Sequence, residues 1–308
     1  MRIGVVGAGF MGKTHAGCLY GMEDVEVAAA CDTDPDLVGA LNEGVGSRAA
    51  AYTDFRQMLD TERLDAVYVC LPPFAHNGEV EAAAQRGLHV FLEKPIALDS
   101  NRARSMVAAI ETSGVKSQVG FHMRFRKSVR ALRALIAEGR AGRPTLFTGR
   151  YWTNMDGSDW WRRREKSGGQ VFEQVIHIYD MAAHLLGDVA EAGGVVGNLC
   201  HEGREDYTIE DTSVGCLRFA NGANAVITGS NCAVPMHFFG DFSAVFEHVT
   251  VEYTCTGQPW VAPDRAILYR GEDERQEFTE DDNPYLLESI DFIDAIRAGR
   301  EPLTPARE

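Results

Sequence analysis

Apolar positions in the first part of the chain gather into short runs, at residues 3–6, 25–31, 66–71, 90–92 and 116–121. Between them, residues 13–20, 35–44, 55–59, 77–86 and 100–113 carry helical patterns. Strand-like runs alternating with helices predict a parallel sheet covered by helices on both faces. Past Arg124 the alternation stops. Residues 128–138 read as a helix, and strand candidates follow at 144–152, 193–199, 212–219, 223–228, 248–253 and 266–269. Asn221-Gly222, between two of these, is a strong hairpin signal. Helical patterns at 169–186 and 285–298 complete an α+β region with a largely antiparallel sheet. The expected division is residues 1–120 and 121–308, with no internal repeat or low-complexity linker.

The first run leads directly into Gly7-Ala8-Gly9-Phe10-Met11-Gly12 and then a helix. In a strand, glycine turn and helix of this kind, Gly7 permits the tight turn and Gly9 lets the backbone approach a pyrophosphate. Gly12 lets the helix pack closely, and the N–H groups at the helix start bind the phosphates. A lone GxGxxG is weak evidence, but here the second apolar run ends at Asp32, about 20 residues past the last glycine, where an acid can hold a ribose diol. A carboxylate there repels a 2′-phosphate, and Thr33 and Asp34 supply no arginine to accommodate one. NAD is therefore favoured over NADP.

Composition narrows the remaining classes. The 308 residues are 45% hydrophobic and 24% charged, enough for two globular units with their own cores. A net charge of −15 disfavours nucleic acid and anionic membranes as partners. No apolar stretch reaches membrane-spanning length and the start lacks a signal peptide's apolar region, so a cytoplasmic protein is expected. The seven cysteines are scattered and form no CxxC pair, which suggests neither a disulfide framework nor a structural zinc site. His15, His89, His184, His201, His237 and His248 form no ligand-spaced cluster, so no metal is expected.

Further motifs carry a resemblance. They are Cys70-Leu71-Pro72-Pro73 with His76, Glu93-Lys94-Pro95 after the fourth run, residues 121–124, Gly168-Gly169 opening a helix, and His177 with Asp180 on that helix. With the glycine turn, these make the chain resemble the Gfo/Idh/MocA family of nicotinamide-dependent oxidoreductases over nearly its whole length. The resemblance implies a nicotinamide held between the Rossmann domain and one face of an open sheet in the second domain, with oligomerisation through the other face. It assigns Gly7, Gly9, Phe10, Met11, Gly12, Asp32, Leu71, Pro72, His76, Glu93 and Lys94 to the cofactor. It also implies that Lys94 contacts the reacting oxygen, that Glu93 orients it, and that Pro95 follows a cis peptide.

Residue chemistry leads to the same pair. Oxidising a secondary alcohol sends a hydride to the cofactor and a proton to a base, so the protein must supply a proton acceptor and a group that stabilises negative charge on oxygen. Lys94, past a strand's carboxyl end, and His177 offer one of each. Glu173, His177 and Asp180 are spaced to share one helical face, and a carboxylate beside an imidazole raises its basicity and fixes its tautomer. Relatives usually carry Asp at the Glu173 position, so the longer acid here is expected to support His177 rather than touch substrate.

Residues 151–166 contain Trp152, Asn154, Asp156, Trp160, Trp161 and Arg162-Arg163-Arg164, the aromatic faces and polar forks that sugar sites use. Trp152, Asn154 and Trp161 are the preferred substrate contacts, ahead of the arginines, with Arg124, Asp180 and His177 beside them. Relatives usually continue past a segment like 300–305 with another helix, which this sequence does not show. Two alternatives stay open at this stage. One is a sugar- or dinucleotide-sensing protein without turnover, and the other an enzyme using NAD as a redox helper in glycoside cleavage or epimerisation.

Overall fold

The computed structural model describes residues 1–46, 48–155, 157–235, 237–257 and 263–308. The chain forms two compact units, Met1–His122 with Asn283–Glu308, and Met123–Asp282.

The first unit is built on a six-stranded sheet, β1 (Arg2–Val6), β2 (Glu26–Cys31), β3 (Ala50–Tyr52), β4 (Ala66–Val69), β5 (His89–Leu92) and β6 (Ser117–Val119). Its order is β3-β2-β1-β4-β5-β6 and every pairing is parallel. The helices are α1 (Phe10–Tyr20), α2 (Pro35–Val45), α3 (Phe55–Thr61), α4 (Glu79–Gln85) and α5 (Ser100–Ser113). Asp34, Asp54 and Asp99 accept N–H bonds at the starts of α2, α3 and α5, satisfying donors that a helix leaves orphaned. Gly9 begins α1 with no side-chain cap, leaving its first N–H groups for another acceptor. Strand order reverses at β1 and β4, and the glycine turn, Asp32, Leu71 and Lys94 all follow the carboxyl ends of strands. That edge is where open α/β sheets bind ligands.

The sequence division put the whole chain beyond residue 120 in the second unit. The last 26 residues instead belong to the first. The last helix of the chain, Pro284–Ala298, buries Phe292 and Ile293 with Ile3, Leu19 and Phe91. The segment after it runs beside β6, where Val119 N–H donates to Thr304 O at 2.8 Å and Thr304 Oγ1 donates to Val119 O at 2.6 Å. Helical periodicity marks an apolar face but not the sheet that receives it.

The second unit opens with a short 3₁₀ turn, His122–Phe125, that begins in the first, and continues into α6 (Lys127–Ala137) and β7 (Pro144–Trp152). After α7 (Arg164–Ser167) comes a π-helical turn, Val171–Val175, which runs into α8 (Ile176–Leu186). The sheet is completed by β8 (Val189–Gly197), β9 (Thr212–Phe219), β10 (Asn224–Ser230), β11 (Phe238–Phe239), β12 (Phe242–Phe246), β13 (Thr250–Thr254), β14 (Thr256–Gly257), β15 (Asp264–Tyr269) and β16 (Arg275–Glu280). The final helix, Pro284–Ala298, is α9. Sheet order is β16-β15-β13-β12-β7-β10-β9-β8, with β11 paired to β7 and β14. Among the described residues only the β7–β10 pairing is parallel. Along β9 the side chains of Ser213, Leu217 and Phe219 are buried while Val214, Cys216 and Arg218 face solvent. One face is thus packed and the other open. The packed face meets Leu132 and Leu135 of α6 and Ile178, Met181 and Leu185 of α8.

The Asn221-Gly222 hairpin is present: Gly222 takes φ +91° and Ala223 N–H donates to Asn221 Oδ1 at 3.1 Å. The scattered-cysteine expectation fails at one pair. Cys200 and Cys232 form a disulfide with their Cα atoms 6.2 Å apart, joining the loop before β9 to the segment after β10. Their separation of 32 residues hides a proximity made by sheet pairing. Among the described residues no helix is long and apolar enough to cross a membrane.

Candidate active site

In the first unit the glycine turn has the shape a dinucleotide requires. Gly7 takes φ +92°, and a Cβ on it would lie 2.4 Å from Cys70 O. A Cβ on Gly12 would lie 1.9 Å from Gly7 O, so only glycine lets α1 start this close to the turn. A Cβ on Gly9 would meet nothing within 4 Å. The space above Gly9 is open, which suits a phosphate approaching the uncapped helix start. Phe10 is exposed and Met11 half-buried. Asp32 Oδ2 accepts the Ala8 N–H at 2.8 Å and Oδ1 accepts the Asp34 N–H at 3.0 Å, so the acid braces the glycine turn it neighbours. Each carboxylate oxygen keeps a second lone pair for a ribose hydroxyl. The residues present fit an NAD site.

Leu71 and Pro72 follow β4 and are half-buried. His76 Nδ1 is hydrogen-bonded to Glu79 Oε1, and Glu79 Oε2 accepts the Asn77 N–H at 2.7 Å. Burial alone would raise the Glu79 carboxyl, but the hydrogen bond and charge of His76 outweigh it and hold the acid below its usual range. His76 Nε2 is buried without a hydrogen-bond partner among the described residues.

Glu93 and Lys94 follow β5, and the Lys94–Pro95 peptide is cis, as the resemblance implied. Glu93 was expected to help orient Lys94. Its carboxylate holds the Lys94 backbone: Oε2 accepts that N–H at 3.1 Å, and Oε1 lies 2.7 Å from His15 Nε2. A Cβ on Gly120 would come within 2.9 Å of Glu93 Oε1, so this glycine leaves room for the acid. His15, expected outside any ligand-spaced cluster, lies with Glu93 and Glu288, their ligand atoms within 4.8 Å of one another. The correction arises because α1, β5 and α9 converge from three distant parts of the sequence. His15, Gly120 and Glu288 were not expected to gather around Glu93.

In the second unit, Gly168 and Gly169 take φ +81° and +115° between α7 and the π-helical turn. A Cβ on Gly169 would lie 2.5 Å from Glu210 Oε2, and Glu210 Oε1 accepts the Val171 N–H at 2.7 Å. Glu210 therefore braces the start of the helical stretch that carries His177, a role no local motif announced. The expected single helix over 169–186 is interrupted by the π-helical turn, which carries Glu173 and changes its spacing to His177. Glu173 Oε2 accepts Trp161 Nε1–H at 2.8 Å. His177 is buried, and the Tyr151 ring is stacked against it with centroids 6.4 Å apart. Burial, and secondly the charge of Glu173, push the Tyr151 phenol up.

Trp161, expected at substrate, is buried to 4% exposure. Trp152 is half-buried and its Nε1–H donates to Thr228 Oγ1 at 3.0 Å, while exposed Asn154 donates to Ala233 O at 2.9 Å. Arg124 and Asp180 are paired with each other: Nη2 donates to Oδ1 at 2.6 Å and Nε donates to Oδ2 at 3.0 Å, both side chains being buried. Asp156 lies outside the described residues.

Residues 1–121 match the GFO_IDH_MocA profile, "Oxidoreductase family, NAD-binding Rossmann fold". Residues 129–252 match the GFO/IDH/MocA C-terminal domain. The chain is 32% identical over 241 residues to inositol 2-dehydrogenase of Rhizobium meliloti (strain 1021), spanning 76% of this chain and 69% of that protein. It is 29% identical over 314 residues to myo-inositol 2-dehydrogenase of Thermotoga maritima, spanning 98% and 90%. Its fold is similar to that of levoglucosan dehydrogenase in complex with NADH and levoglucosan, with a TM-score of 0.87 over 100% of this chain and 92% of that one at 20% identity. The chain belongs to the Gfo/Idh/MocA family of oxidoreductases, built on an NAD-binding Rossmann fold.

Proposed function

We propose that the protein is an NAD-dependent dehydrogenase acting on a secondary alcohol carbon of a sugar, cyclitol or related polyol. The observation that carries this reading is Lys94 at the carboxyl end of β5, on the strand-end edge that also bears the glycine turn and Asp32. NAD, when bound, supplies the hydride acceptor. Gly7, Gly9 and Gly12 with the start of α1 hold the pyrophosphate, Asp32 the ribose diol, and Leu71, Pro72 and His76 line the same edge. Lys94 binds the substrate oxygen and stabilises charge developing on it. His177 removes the hydroxyl proton and returns it in the reverse direction.

Glu173, held by Trp161, keeps negative charge near the start of α8 and supports a protonated His177. Trp152 and Asn154 are the proposed sugar contacts. Arg124 and Asp180, satisfied by each other, hold α8 to the segment before α6. A homo-oligomer through the open sheet face is supported by apolar side chains left in solvent there: Leu146 at 41%, Val214 at 43% and Val226 at 41% exposure.

A panel of sugars and inositols, followed by absorbance of the reduced cofactor, tests the reading. Net accumulation of reduced cofactor with one of them is the expected result. Product without accumulation would indicate a redox helper, and binding without product a sensor.

A further inference from the structure

Beside Lys94, three ionisable side chains, from α1, the turn after β5 and α9, come together in the buried interior. His15 and Glu288 are 0% exposed and Glu93 is 4% exposed. His15 Nε2 is 2.7 Å from Glu93 Oε1 and 3.9 Å from Glu288 Oε1. The His15 ring is held among aromatic neighbours, 4.7 Å from Phe91 and 5.5 Å from Tyr68 by centroid. Its Nδ1 has no partner among the described residues. Of the two neutral tautomers, the one protonated at Nε2 donates to Glu93 and strands no buried N–H. Glu93 then accepts from His15 with one oxygen and from the Lys94 backbone with the other.

Glu288 has a different status. Both its oxygens are buried without a hydrogen-bond partner among the described residues. An unpaired carboxylate in such surroundings is prohibitively costly. Burial, and secondly the charge of Glu93, push the Glu288 carboxyl well above its usual range. Cys18 on α1 and Tyr68 and Cys70 at β4 are also packed here, each raised by burial and so neutral, and Tyr285 of α9 stands edge-on to the His15 ring with His122 against it.

We propose that His15 and Glu288 are positioning residues for Lys94: Glu288 stays neutral so that Glu93 is the cluster's one anion, and His15 locks that anion onto the Lys94 backbone N–H. The proposal rests on the catalytic role given to Lys94 above. It explains why an acid precedes the lysine, why Gly120 must lack a side chain, and why α9 returns to the first unit.

The test uses the full chain. Hydrogen exchange at the Lys94 amide reads the locked contact without substrate. His15→Phe, which keeps the aromatic packing, is expected to lower protection of that amide by about tenfold or more while leaving amides of β4 unchanged. Glu288→Leu is expected to do the same and Glu288→Gln to restore protection, because a neutral amide replaces a neutral acid. The difference infrared spectrum of wild type against Glu288→Gln at pH 7 is expected to contain the carbonyl band of a protonated carboxylic acid. Unchanged Lys94 exchange in His15→Phe overturns the proposal, as does absence of that band or stoichiometric transition metal in the purified protein. With the best substrate of the panel, turnover of His15→Phe, Glu93→Gln and the double variant is expected to be equally low, about 10- to 100-fold down. If Lys94→Ala lowers turnover and His15→Phe does not, the positioning role fails and the catalytic reading stands. If Lys94→Ala turns over normally, the catalytic reading itself fails.

Discussion

In the first unit β4 buries every residue and β1 all but one, whereas in the second β10 buries alternate residues and leaves Val226 in solvent. The first sheet, covered on both faces, offers chemistry only at its strand ends. Its candidate residues accordingly sit in turns after strands, where Asp32 and Glu93 accept backbone N–H bonds. The second sheet has one open face, and the candidate residues of its unit are braced by other side chains, as Glu173 is by Trp161 and Asp180 by Arg124. The first set depends on backbone shape at strand ends and the second on side-chain pairing.

The sharpest way to break that contrast is at the glycines. Gly12→Ala forces a Cβ against a backbone oxygen that cannot swing aside. It is expected to cost at least about 3 kcal/mol and abolish measurable NADH binding. Gly9→Ala is expected to leave the melting temperature unchanged while weakening NADH, since its Cβ meets only open space. Equal loss of stability in both would show that the turn is not shaped for the cofactor.

In the second unit the corresponding lesion is electrostatic. Arg124→Met strands Asp180 in a buried position, and urea unfolding is expected to reveal a loss of about 3–5 kcal/mol. Adding Asp180→Leu should restore most of it, because two apolar groups strand no charge. Additive losses would mean the two residues act separately. Reducing Cys200–Cys232 is expected to be milder, about 3–4 kcal/mol at most for the loop it closes, and confined to the second unit.

The remaining contrast is a difference in sign. His184 in the second unit is depressed to about 3, by burial first and then by Arg124 and Arg133. Between about pH 6.5 and about 3 the unfolded chain binds a proton there and the folded one does not, so that unit loses stability as pH falls. Glu288 in the first unit is raised, so the folded chain keeps a proton that the unfolded chain releases above about pH 4.5. That contribution is lost as pH rises. Hydrogen exchange resolved by unit is expected to show opposite slopes from these groups, each at most about 1.4 kcal/mol per pH unit. His184→Gln and Glu288→Gln should flatten one each; a variant that left its unit's slope unaltered would remove that residue from the account.

The same division governed what the sequence could reveal. The glycine turn, Asp32, the acid–lysine–proline motif and the Asn221-Gly222 hairpin are short-range signals whose geometry follows from backbone constraints, and each appears where the pattern indicated. Strands such as Thr212–Phe219 and Pro144–Trp152 were bounded by clear alternation or apolar runs. Short strands, β3 and β11 among them, were missed because two or three residues carry no period. The return of α9 to the first unit, the Cys200–Cys232 bridge and the convergence of His15 and Glu288 beside Lys94 all depend on which surfaces meet. A single sequence read for period and spacing does not encode those meetings locally. Glu173 shows the intermediate case: the helix was foreseen, but not the π-helical turn that carries the acid.

The central claim is that Lys94 and His177 perform the alcohol chemistry. Its most direct test is the rate of reduced-cofactor formation, with NAD and the best polyol of the panel, in wild type, Lys94→Ala and His177→Ala, alongside NADH affinity. The account predicts that each substitution lowers turnover at least about 100-fold with NADH affinity little changed, the contribution typical of a positioned acid–base group. Near-normal turnover in either variant would contradict it.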